Sequence, residues 1–264
     1  MEKKICVITG GTSGIGLCTA LEMKSKGYEV FEISRRSDGT EGINHISADI
    51  TDLERVNKAV SYIMDKSGRI DVLINNAGFG ISGAVEFTEI ADAKKQFDVN
   101  FFGMVNMNQA VIPFMRRQGS GRIVNISSVA ASIAIPFQAY YSAAKAAINS
   151  YTMALINEVK PYGISVCAVQ PGDICTGFTD ARKKSYEGDK IYGGRISGSV
   201  AVMEHDEQTG MKPEVAARVI ASVAEAAKVR PLYTIGFKYK LFCGLAKVLP
   251  ARLVVYIVGR MYGG

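Results

Sequence analysis

Residues 5–16, ICVITGGTSGIG, are an apolar run that leads directly into a glycine-rich turn and then into a helical pattern. Glycines allow a tight turn and let the backbone approach a pyrophosphate, and the N-terminus of the next helix points N–H groups at phosphate oxygens. A glycine string alone also fits a turn without function, but its place between a strand and a helix is typical of dinucleotide sites. The stretch predicts cofactor contacts from Gly10, Thr12, Ser13, Gly14, Ile15 and Gly16.

Outward from this turn, short β-branched runs alternate with longer segments of helical period. The predicted strands are 5–9, 29–34, 43–48, 72–75, 122–127 and 164–170, and the predicted helical segments are 14–26, 53–66, 92–117, 139–160 and 213–228. Repeated βαβ units make the strands parallel and place helices on both faces. The 264 residues therefore predict one α/β domain over residues 1–264, a Rossmann fold with a doubly wound parallel β-sheet.

Two segments depart from this alternation. Residues 177–212 form a polar, glycine-bearing stretch that is too long for an ordinary connection, and we interpret it as a substrate loop rather than a disordered insertion. Residues 237–264 form a C-terminal helical tail with basic and apolar residues. Such amphipathic helices suit peripheral contact with a membrane, or packing against the domain or a second subunit, and the sequence does not separate these alternatives.

Composition argues against several classes of protein. The net charge of +6 suits an anionic cofactor, but no basic module rich in aromatic residues supports nucleic-acid binding. The five cysteines have no C-x-x-C pair and no zinc-like spacing to His45 or His205. We therefore expect no metal site, reduced thiols and a cytoplasmic location, and we assign the two histidines no catalytic role. Neither a signal peptide nor a transmembrane segment is indicated.

The end of the second predicted strand indicates which dinucleotide is bound. An NAD site usually holds the ribose diol with a carboxylate there, whereas this strand ends in Ser34, Arg35 and Arg36. A hydroxyl and two guanidinium groups suit a ribose phosphate, so the sequence predicts NADP(H). Glu32 is a rival carboxylate if its side chain points toward the site, and the arginines also fit a solvated turn.

Six motifs follow one another in the order typical of one protein family. They are the glycine turn from Thr9 to Gly16, Asn75-Asn76-Ala77-Gly78, Asn100, Ser128, Tyr141-Ser142-Ala143-Ala144-Lys145 and Pro171-Gly172. On these motifs, most of the chain resembles the short-chain dehydrogenase/reductase family. The resemblance implies an oxidoreductase that moves a hydride between nicotinamide and a carbonyl or alcohol, assembled as a homodimer or homotetramer.

The catalytic residues follow partly from spacing and partly from the resemblance. Tyr141 and Lys145 lie one helical turn apart on the same face, and a neighbouring ammonium lowers the pKa of a phenol from its ordinary value of about 10. Tyr140 has no cation at that spacing and is interpreted as a packing residue. The resemblance implies that Lys145 also holds the nicotinamide ribose, that Ser128 orients the substrate oxygen and that Asn100 keeps a water in place beside the lysine.

The resemblance also extends to the rest of the cofactor. It implies adenine contacts from Asp49 and Ile50, adenosine-side contacts from Asn76, Ala77 and Gly78, and nicotinamide contacts from Pro171, Gly172, Ile174 and Thr176, in addition to Tyr141 and Lys145. The glycines in this set also suit ordinary turns, so that alternative stays open for them.

The substrate is predicted from apolar residues near the expected reaction centre. They are Phe79, Ile133, Ile135, Phe137, Ile174 and Phe178, and they indicate a hydrophobic alcohol or ketone, although they equally suit a protein core. With the tail, they resemble the hydroxysteroid and retinol dehydrogenase branch, which implies a steroid, a bile acid or a retinoid. Alternatives are an NADP-binding redox sensor or scaffold without turnover, and a dehydratase or epimerase.

Overall fold

The alternating pattern produces a central sheet whose strands are parallel. The computed structural model describes residues 3–263. The strands are β1 (Ile5–Thr9), β2 (Glu29–Ser34), β3 (Asn44–Ser47), β4 (Val72–Asn75), β5 (Ile81–Ser82), β6 (Gly121–Ile126), β7 (Ile164–Gln170), β8 (Lys183–Lys184) and β9 (Leu232–Thr234). Seven of them form one sheet in the order β3-β2-β1-β4-β6-β7-β9, and β5 pairs with β8 apart from it.

Helices cover both faces of the large sheet. They are α1 (Gly14–Ser25), α2 (Leu53–Ser67), α3 (Ile90–Phe97), α4 (Gly103–Gln118), α5 (Ala139–Val159), α6 (Phe178–Ala181), α7 (Arg195–Gln208), α8 (Pro213–Glu225), α9 (Phe237–Val248) and α10 (Ala251–Tyr262). Short 3₁₀ turns cover Val85–Phe87, Val129–Ala131 and Lys160–Tyr162, and a π-helical turn covers Asp98–Phe102.

The two faces of β1 show why the sheet is buried on both sides. Successive side chains of a strand point to opposite faces. Ile5 and Val7 belong to the core formed with α2, α4 and α5, whereas Cys6 and Ile8 belong to the core formed with α1 and α8. The parallel sheet between two helical layers confirms the predicted doubly wound Rossmann fold.

Predicted element bounds are accurate for four of the seven strands of the large sheet. β1, β2, β4 and β7 begin and end at the predicted residues. The helical pattern over residues 92–117 is divided into α3, the π-helical turn and α4. The division is invisible to periodicity because all three pieces are helical and the turn adds only a local shift in hydrogen bonding.

The interpretation of residues 177–212 as an irregular loop is wrong in its secondary structure. The segment contains α6, β8 and the fourteen-residue helix α7. On α7, Ile196, Ser199, Val200 and Met203 are buried at helical spacing. Polar residues and glycines around them hide that spacing in the sequence, so the stretch reads as a loop.

The C-terminal tail forms α9 and α10, as expected for amphipathic segments. Within residues 3–263, no helix is both long enough and apolar enough to cross a bilayer. The two helices follow β9 and end the described chain beside α7, on the side where the parallel strands have their carboxyl ends.

Candidate active site

A cavity of about 860 Å³ opens at the carboxyl ends of β1, β4, β6 and β7. In open parallel sheets, ligands bind at this edge, where the crossovers diverge to the two faces. The residues predicted to contact the dinucleotide all line the cavity: Gly10, Thr12, Ser13, Gly14, Ile15, Gly16, Ser34, Arg35, Arg36, Asp49, Ile50, Asn76, Ala77, Gly78, Tyr141, Lys145, Pro171, Gly172, Ile174 and Thr176. The structure therefore brings the whole predicted cofactor set to one cavity.

The glycine turn between β1 and α1 is held closely against the loop after β4. A side chain at Gly16 would lie 2.1 Å from the carbonyl oxygen of Gly10, so only glycine fits there. The Asn76 side chain donates hydrogen bonds of 3.1 Å to the carbonyl oxygens of Thr9 and Gly10. Asn76 thus also fixes the shape of the turn, a contact that the sequence did not reveal.

The Glu32 carboxylate is turned into the protein and does not line the cavity. Its Oε1 accepts a hydrogen bond of 3.0 Å from the backbone N–H of Gly11, and the residue is 1% exposed. Its Oε2 lies 2.5 Å from Nδ1 of His45, and Nε2 of His45 lies 3.0 Å from the carbonyl oxygen of Arg36. Glu32 and His45 therefore join the glycine turn to the arginine segment, a role for His45 that sequence spacing did not indicate.

Three polar groups at the end of β2 face the cavity without a protein partner. Arg35 and Arg36 are exposed, line the cavity and form no ion pair within residues 3–263. The Ser34 hydroxyl is buried and has no hydrogen-bond partner in that part of the chain. Buried polar groups are nearly always hydrogen-bonded in proteins, so this hydroxyl and the guanidinium groups are suited to hold an anionic ligand.

Helix α5 places the predicted catalytic pair on one face. Tyr141 is half-buried and Lys145 is buried, and the Lys145 Nζ lies 5.7 Å from the centroid of the Tyr141 ring. Nζ donates a hydrogen bond of 2.8 Å to the carbonyl oxygen of Ile126, at the end of β6. Ser128 hydrogen-bonds Tyr141. The three side chains that the sequence selected therefore converge at one point of the cavity.

The neighbouring serine and tyrosine are engaged elsewhere. The Ser127 hydroxyl is buried and donates a hydrogen bond of 3.0 Å to the carbonyl oxygen of Lys145. Tyr140 is outside the cavity, whereas Ser127 also lines it with its hydroxyl bound to the backbone of α5.

The protonation of the pair differs from the sequence-based expectation. Burial raises the pKa of Tyr141 to about 12, against a smaller lowering by its hydrogen bond with Ser128. Burial lowers the pKa of Lys145 to about 8. The predicted lowering of the phenol pKa by the ammonium is therefore not seen, because desolvation dominates at this site. Near neutral pH, Tyr141 keeps its proton and Lys145 is still mainly charged.

Asn100 lies in the π-helical turn and does not line the cavity itself. Its Oδ1 accepts a hydrogen bond of 2.9 Å from the backbone N–H of Phe79, and its Nδ2 donates one of 2.9 Å to the Phe79 carbonyl oxygen. A side chain at Gly78 would lie 3.1 Å from Oδ1 and 3.7 Å from the Lys145 Nζ. Asn100 therefore fixes the loop after β4 beside Lys145, and π-turns often mark functional positions.

The other half of the cavity is lined by residues that sequence reasoning largely missed. They come from α9 and α10 and are mostly apolar: Lys238, Tyr239, Phe242, Leu245, Ala246, Leu249, Val254, Ile257, Val258, Met261 and Tyr262. Amphipathicity indicated that these helices pack on something, but only the fold shows which elements meet at this edge of the sheet.

Of the apolar residues predicted near the reaction centre, five line the cavity and one does not. Phe79, Ile133, Ile135, Ile174 and Phe178 line it. Phe137 lies outside, where its backbone has a positive φ of 58° and its ring packs against Tyr192 with 5.6 Å between centroids. The placement of Phe137 at the reaction centre is therefore wrong, because the left-handed backbone turns its side chain away.

Two carboxylates also reach this cavity. Asp173 accepts a hydrogen bond of 2.5 Å from the Tyr239 hydroxyl. Glu207 pairs with buried Arg182 and accepts a hydrogen bond of 2.6 Å from Thr179. Both carboxylates line the cavity and act to raise the pKa of Tyr141. Arg182, the partner of Glu207, lowers the pKa of Tyr141, so Asp173 is the carboxylate of this pair that has no ionic partner within residues 3–263.

Comparison with known proteins identifies the family. A family model described as short chain dehydrogenase matches residues 4–187. The chain is 37% identical over 271 residues to the 3-ketodihydrosphingosine reductase of Bacteroides thetaiotaomicron, with 99% of both proteins covered. A solved short-chain dehydrogenase from Streptomyces avermitilis has a TM-score of 0.85 at 29% identity and 98% coverage of each chain. ElxO with NADP bound has a TM-score of 0.75 at 29% identity, with 90% of this chain and 99% of that chain covered.

These similarities support the broader resemblance and not the narrower one. A relative aligned over its full length is named for a keto lipid base rather than a steroid, so the resemblance to the hydroxysteroid branch is not confirmed. Members of the matched family bind nicotinamide cofactors and act on small molecules, which agrees with the cavity and its converging polar groups. The chain belongs to the short-chain dehydrogenase family and is an oxidoreductase.

Proposed function

We propose that this protein is an NADPH-dependent reductase that converts the ketone of a long-chain lipid, of the 3-ketodihydrosphingosine type, into a secondary alcohol. The observation that carries the proposal is the continuity of one cavity. It runs from the arginines at the end of β2, past Tyr141 and Lys145, to the apolar side chains of α9 and α10. A site with this order of groups suits an anionic cofactor at one end and an apolar chain at the other.

The choice of NADP(H) rests on the groups that face the adenosine ribose position. Arg35 and Arg36 have no ionic partner within residues 3–263, and the buried Ser34 hydroxyl lacks a hydrogen bond there. The nearby carboxylate of Glu32 is occupied by Gly11 and is not directed at the cavity. A phosphate on the ribose would pair with the guanidinium groups, whereas a bare diol would leave them unpaired.

The proposed chemistry is a hydride transfer coupled to a proton transfer. The cofactor, when bound, supplies the hydride to the carbonyl carbon. Ser128 and Tyr141 donate hydrogen bonds to the carbonyl oxygen, and Tyr141 then releases its proton to that oxygen as the new C–H bond forms. The high pKa of Tyr141, raised to about 12 by burial, keeps this proton in place until the oxygen becomes basic.

Lys145 stabilises the phenolate that proton donation leaves behind. Its ammonium lies 5.7 Å from the Tyr141 ring centroid, and a nearby cation favours the charged form of a phenol. Its hydrogen bond to the Ile126 carbonyl holds it at this position. Asn100, through the backbone of Phe79, keeps the loop beside the ammonium in place. The residues present therefore suit ketone reduction better than a binding site without chemistry.

The substrate class is inferred from two features of the cavity half that α9 and α10 line. One is the charge near Tyr141, and the other is the apolar wall that continues away from it. Asp173 lies near the phenol and forms no ion pair within residues 3–263, and a carboxylate there favours a substrate with an ammonium close to the reacting carbonyl. Apolar side chains of α9 and α10 continue away from that point and suit an alkyl chain. A steroid would use the apolar walls but leave the Asp173 carboxylate without a cationic partner. The Bacteroides thetaiotaomicron relative is named for a substrate with both features.

A substrate panel tests the proposal. The purified protein should oxidise NADPH with 3-ketodihydrosphingosine, more slowly with a short-chain analogue that keeps the amine, and least with steroid ketones. Tyr141→Phe should abolish turnover and still bind NADPH, and Tyr140→Phe, outside the cavity, should behave as the unmodified protein. Equal turnover of steroid and lipid ketones would contradict the substrate class, and activity retained in Tyr141→Phe would contradict the mechanism.

A further inference from the structure

The last two helices carry an outer surface that the proposed reaction does not use. On α9, Phe237, Leu241, Leu245 and Val248 recur every three or four residues and are exposed, so they share one side of the helix. Phe237 is 85% exposed and Val248 is 77% exposed. Nine of the 21 exposed large hydrophobic side chains among the described residues lie on α9 and α10, and such a concentration marks an interaction surface.

Helix α10 continues this surface with the same spacing. Leu253, Ile257 and Met261 are exposed and lie four residues apart. We call these three residues, with Phe237, Leu241, Leu245 and Val248 of α9, the apolar face. Val255 and Tyr256, further around α10, are 71% and 65% exposed. Buried Cys243 and Val258 mark the inward sides of the two helices.

The charge around the apolar face has a single sign. Residues 226–264 contain no Asp or Glu, and their basic residues are Lys228, Arg230, Lys238, Lys240, Lys247, Arg252 and Arg260. Within the described part of the chain, Lys240, Lys247, Arg252 and Arg260 form no ion pair. A helix pair with exposed apolar residues and only positive charge is complementary to an anionic lipid surface. A second copy of this chain would bring the same positive charges together, which disfavours close pairing of two such faces.

The apolar face and the cavity meet at the same side chains. Leu245, Ile257 and Met261 belong to the apolar face and also line the cavity. The wall of the cavity beside Phe242 and the apolar face therefore share these three side chains. A water-insoluble chain that leaves a bilayer at this point would meet apolar side chains along its whole path.

Hydrogen bonds hold the two helices on the body of the protein while their outer side stays exposed. The Tyr239 hydroxyl donates to Asp173, and the Tyr262 hydroxyl donates a bond of 3.1 Å to Asp206 on α7. Arg195 donates to the carbonyl oxygen of Gly263 at the end of α10. These contacts lie on the cavity side, so docking of the outer side would not require them to break.

We propose that α9 and α10 dock on an anionic membrane surface through the apolar face, and that a lipid substrate passes from the bilayer into the cavity along Leu245, Ile257 and Met261. The docking surface stands on exposure and charge alone. The route rests on the proposed function, because it needs a lipid that reacts at Tyr141.

Docking is tested by co-sedimentation of the full chain with vesicles. Vesicles of phosphatidylcholine mixed with phosphatidylglycerol should bind the protein, and those of phosphatidylcholine alone should bind it weakly. The double variant Phe237→Asp/Val248→Asp should bind the anionic vesicles at least tenfold less, because it replaces the two most exposed side chains of the apolar face by anions, and neither lines the cavity. Ile191→Ser is a matched control, since Ile191 is exposed but lies outside both helices. Unchanged NADPH affinity of each variant shows that it is folded.

Charge reversal provides an independent second variant. Lys240→Glu/Lys247→Glu should also weaken binding, by roughly fivefold or more for each lysine near the surface, and added salt should weaken binding of the unmodified protein. Equal sedimentation of the unmodified protein and both variants would overturn the proposal. So would a dimer in sedimentation velocity that Phe237→Asp/Val248→Asp dissociates while anionic vesicles bind nothing, because the face would then be a subunit interface.

The route is tested separately by turnover. The Phe237→Asp/Val248→Asp variant should reduce a long-chain ketone embedded in anionic vesicles several-fold more slowly than the unmodified protein, and a water-soluble short-chain ketone at the same rate. Equal rates on the embedded ketone would overturn the route. If vesicles bind the protein but no ketone is reduced by it, the docking surface stands and the proposed function fails, so the two failures are distinguishable.

Discussion

The two halves of the cavity are formed by different parts of the chain: the first mainly by closely packed backbone, and the second mainly by apolar side chains. In the half formed by residues 5–176, close backbone packing leaves no room for change: Gly16 lies against Gly10, and Asn76 and Glu32 bind backbone groups of the glycine turn. In the half formed by α9 and α10, apolar side chains line the wall and the same helices expose further apolar residues outside. In the first half, backbone geometry determines which ligand fits. In the second half, the size, apolarity and charge of the side chains determine it.

This contrast has a chemical reason. A pyrophosphate and two riboses have fixed shapes and need N–H groups and cations at fixed positions, which a turn between strand and helix supplies. An alkyl chain needs only apolar area, which many side chains provide equally well. Substitutions in the two halves should therefore have different signatures, the first in cofactor selectivity and affinity and the second in the dependence on substrate length.

The largest effect on cofactor choice is expected at Arg35. Arg35→Asp would replace an unpaired guanidinium by an anion and should lower kcat/KM for NADPH relative to NADH by roughly 10- to 100-fold, since charge-assisted hydrogen bonds to phosphate are lost. Steady-state rates with both cofactors measure this ratio. Arg55→Asp is a matched control, because Arg55 lies on α2 outside the cavity. An unchanged ratio would remove Arg35 from ribose-phosphate recognition.

The pH profile of reduction should follow Lys145. Burial lowers the pKa of Lys145 to about 8, so the ammonium is present below that pH and is lost above it. Tyr141, with its pKa raised to about 12, keeps its proton throughout this range. The rate of reduction should be level below about pH 8 and fall about tenfold per pH unit above it.

A charge-preserving variant sharpens this test. In Lys145→Arg the guanidinium does not lose its proton in this range, so whatever activity remains should show no fall above about pH 8. A level profile in the unmodified protein, or the same fall in Lys145→Arg, would mean that the charge on Lys145 does not govern the rate.

In the second half of the cavity, Phe242→Ala should act on chain length. Removing the ring takes apolar area from the wall and should raise KM for a long-chain ketone by about tenfold, whereas KM for a short-chain ketone should change little. Tyr62→Ala serves as control, because Tyr62 is exposed on α2. If both ketones lost affinity equally, Phe242 would act on folding of α9 and not on the alkyl chain.

The smallest effect is expected from the connection between the glycine turn and the arginine segment. His45→Ala would remove the contacts to Glu32 and to the Arg36 carbonyl, so the dissociation constant for NADPH should rise by roughly two- to tenfold with kcat nearly unchanged. A fluorescence titration measures it, and His205→Ala, at an exposed histidine, is the matched control. Loss of kcat without loss of affinity would contradict this positioning role.

The sequence predicted the first half of the cavity far better than the second. The glycine turn, the Tyr141 and Lys145 pair and the arginines could be found because their chemistry requires particular residues at particular spacings. The contribution of Phe242 or Val258 could not be found, because an apolar residue on an amphipathic helix has the same pattern whether it faces a core, a partner or a cavity. The prediction for Phe137 was wrong for a local reason. Its backbone has a positive φ of 58°, which the composition of the sequence does not indicate.

The pKa of Tyr141 was the other property that the sequence did not predict correctly. Spacing correctly placed the Lys145 Nζ near the Tyr141 ring, at 5.7 Å from its centroid. Spacing did not indicate whether the ammonium or burial has the larger effect on the pKa of the phenol. Burial raises the pKa of Tyr141 to about 12. That balance depends on how much protein surrounds the phenol, which only the packed structure defines. The result favours Tyr141 as a proton donor in reduction.

The transfer of isotope from cofactor to lipid tests the central claim most directly. With NADPH deuterated at the reactive position of the nicotinamide ring, 3-ketodihydrosphingosine should give an alcohol that carries one deuterium at the former carbonyl carbon, detected by mass spectrometry. Tyr141→Phe should bind the same NADPH and give no labelled alcohol. An unlabelled product, or equal labelled product from Tyr141→Phe, would contradict the account.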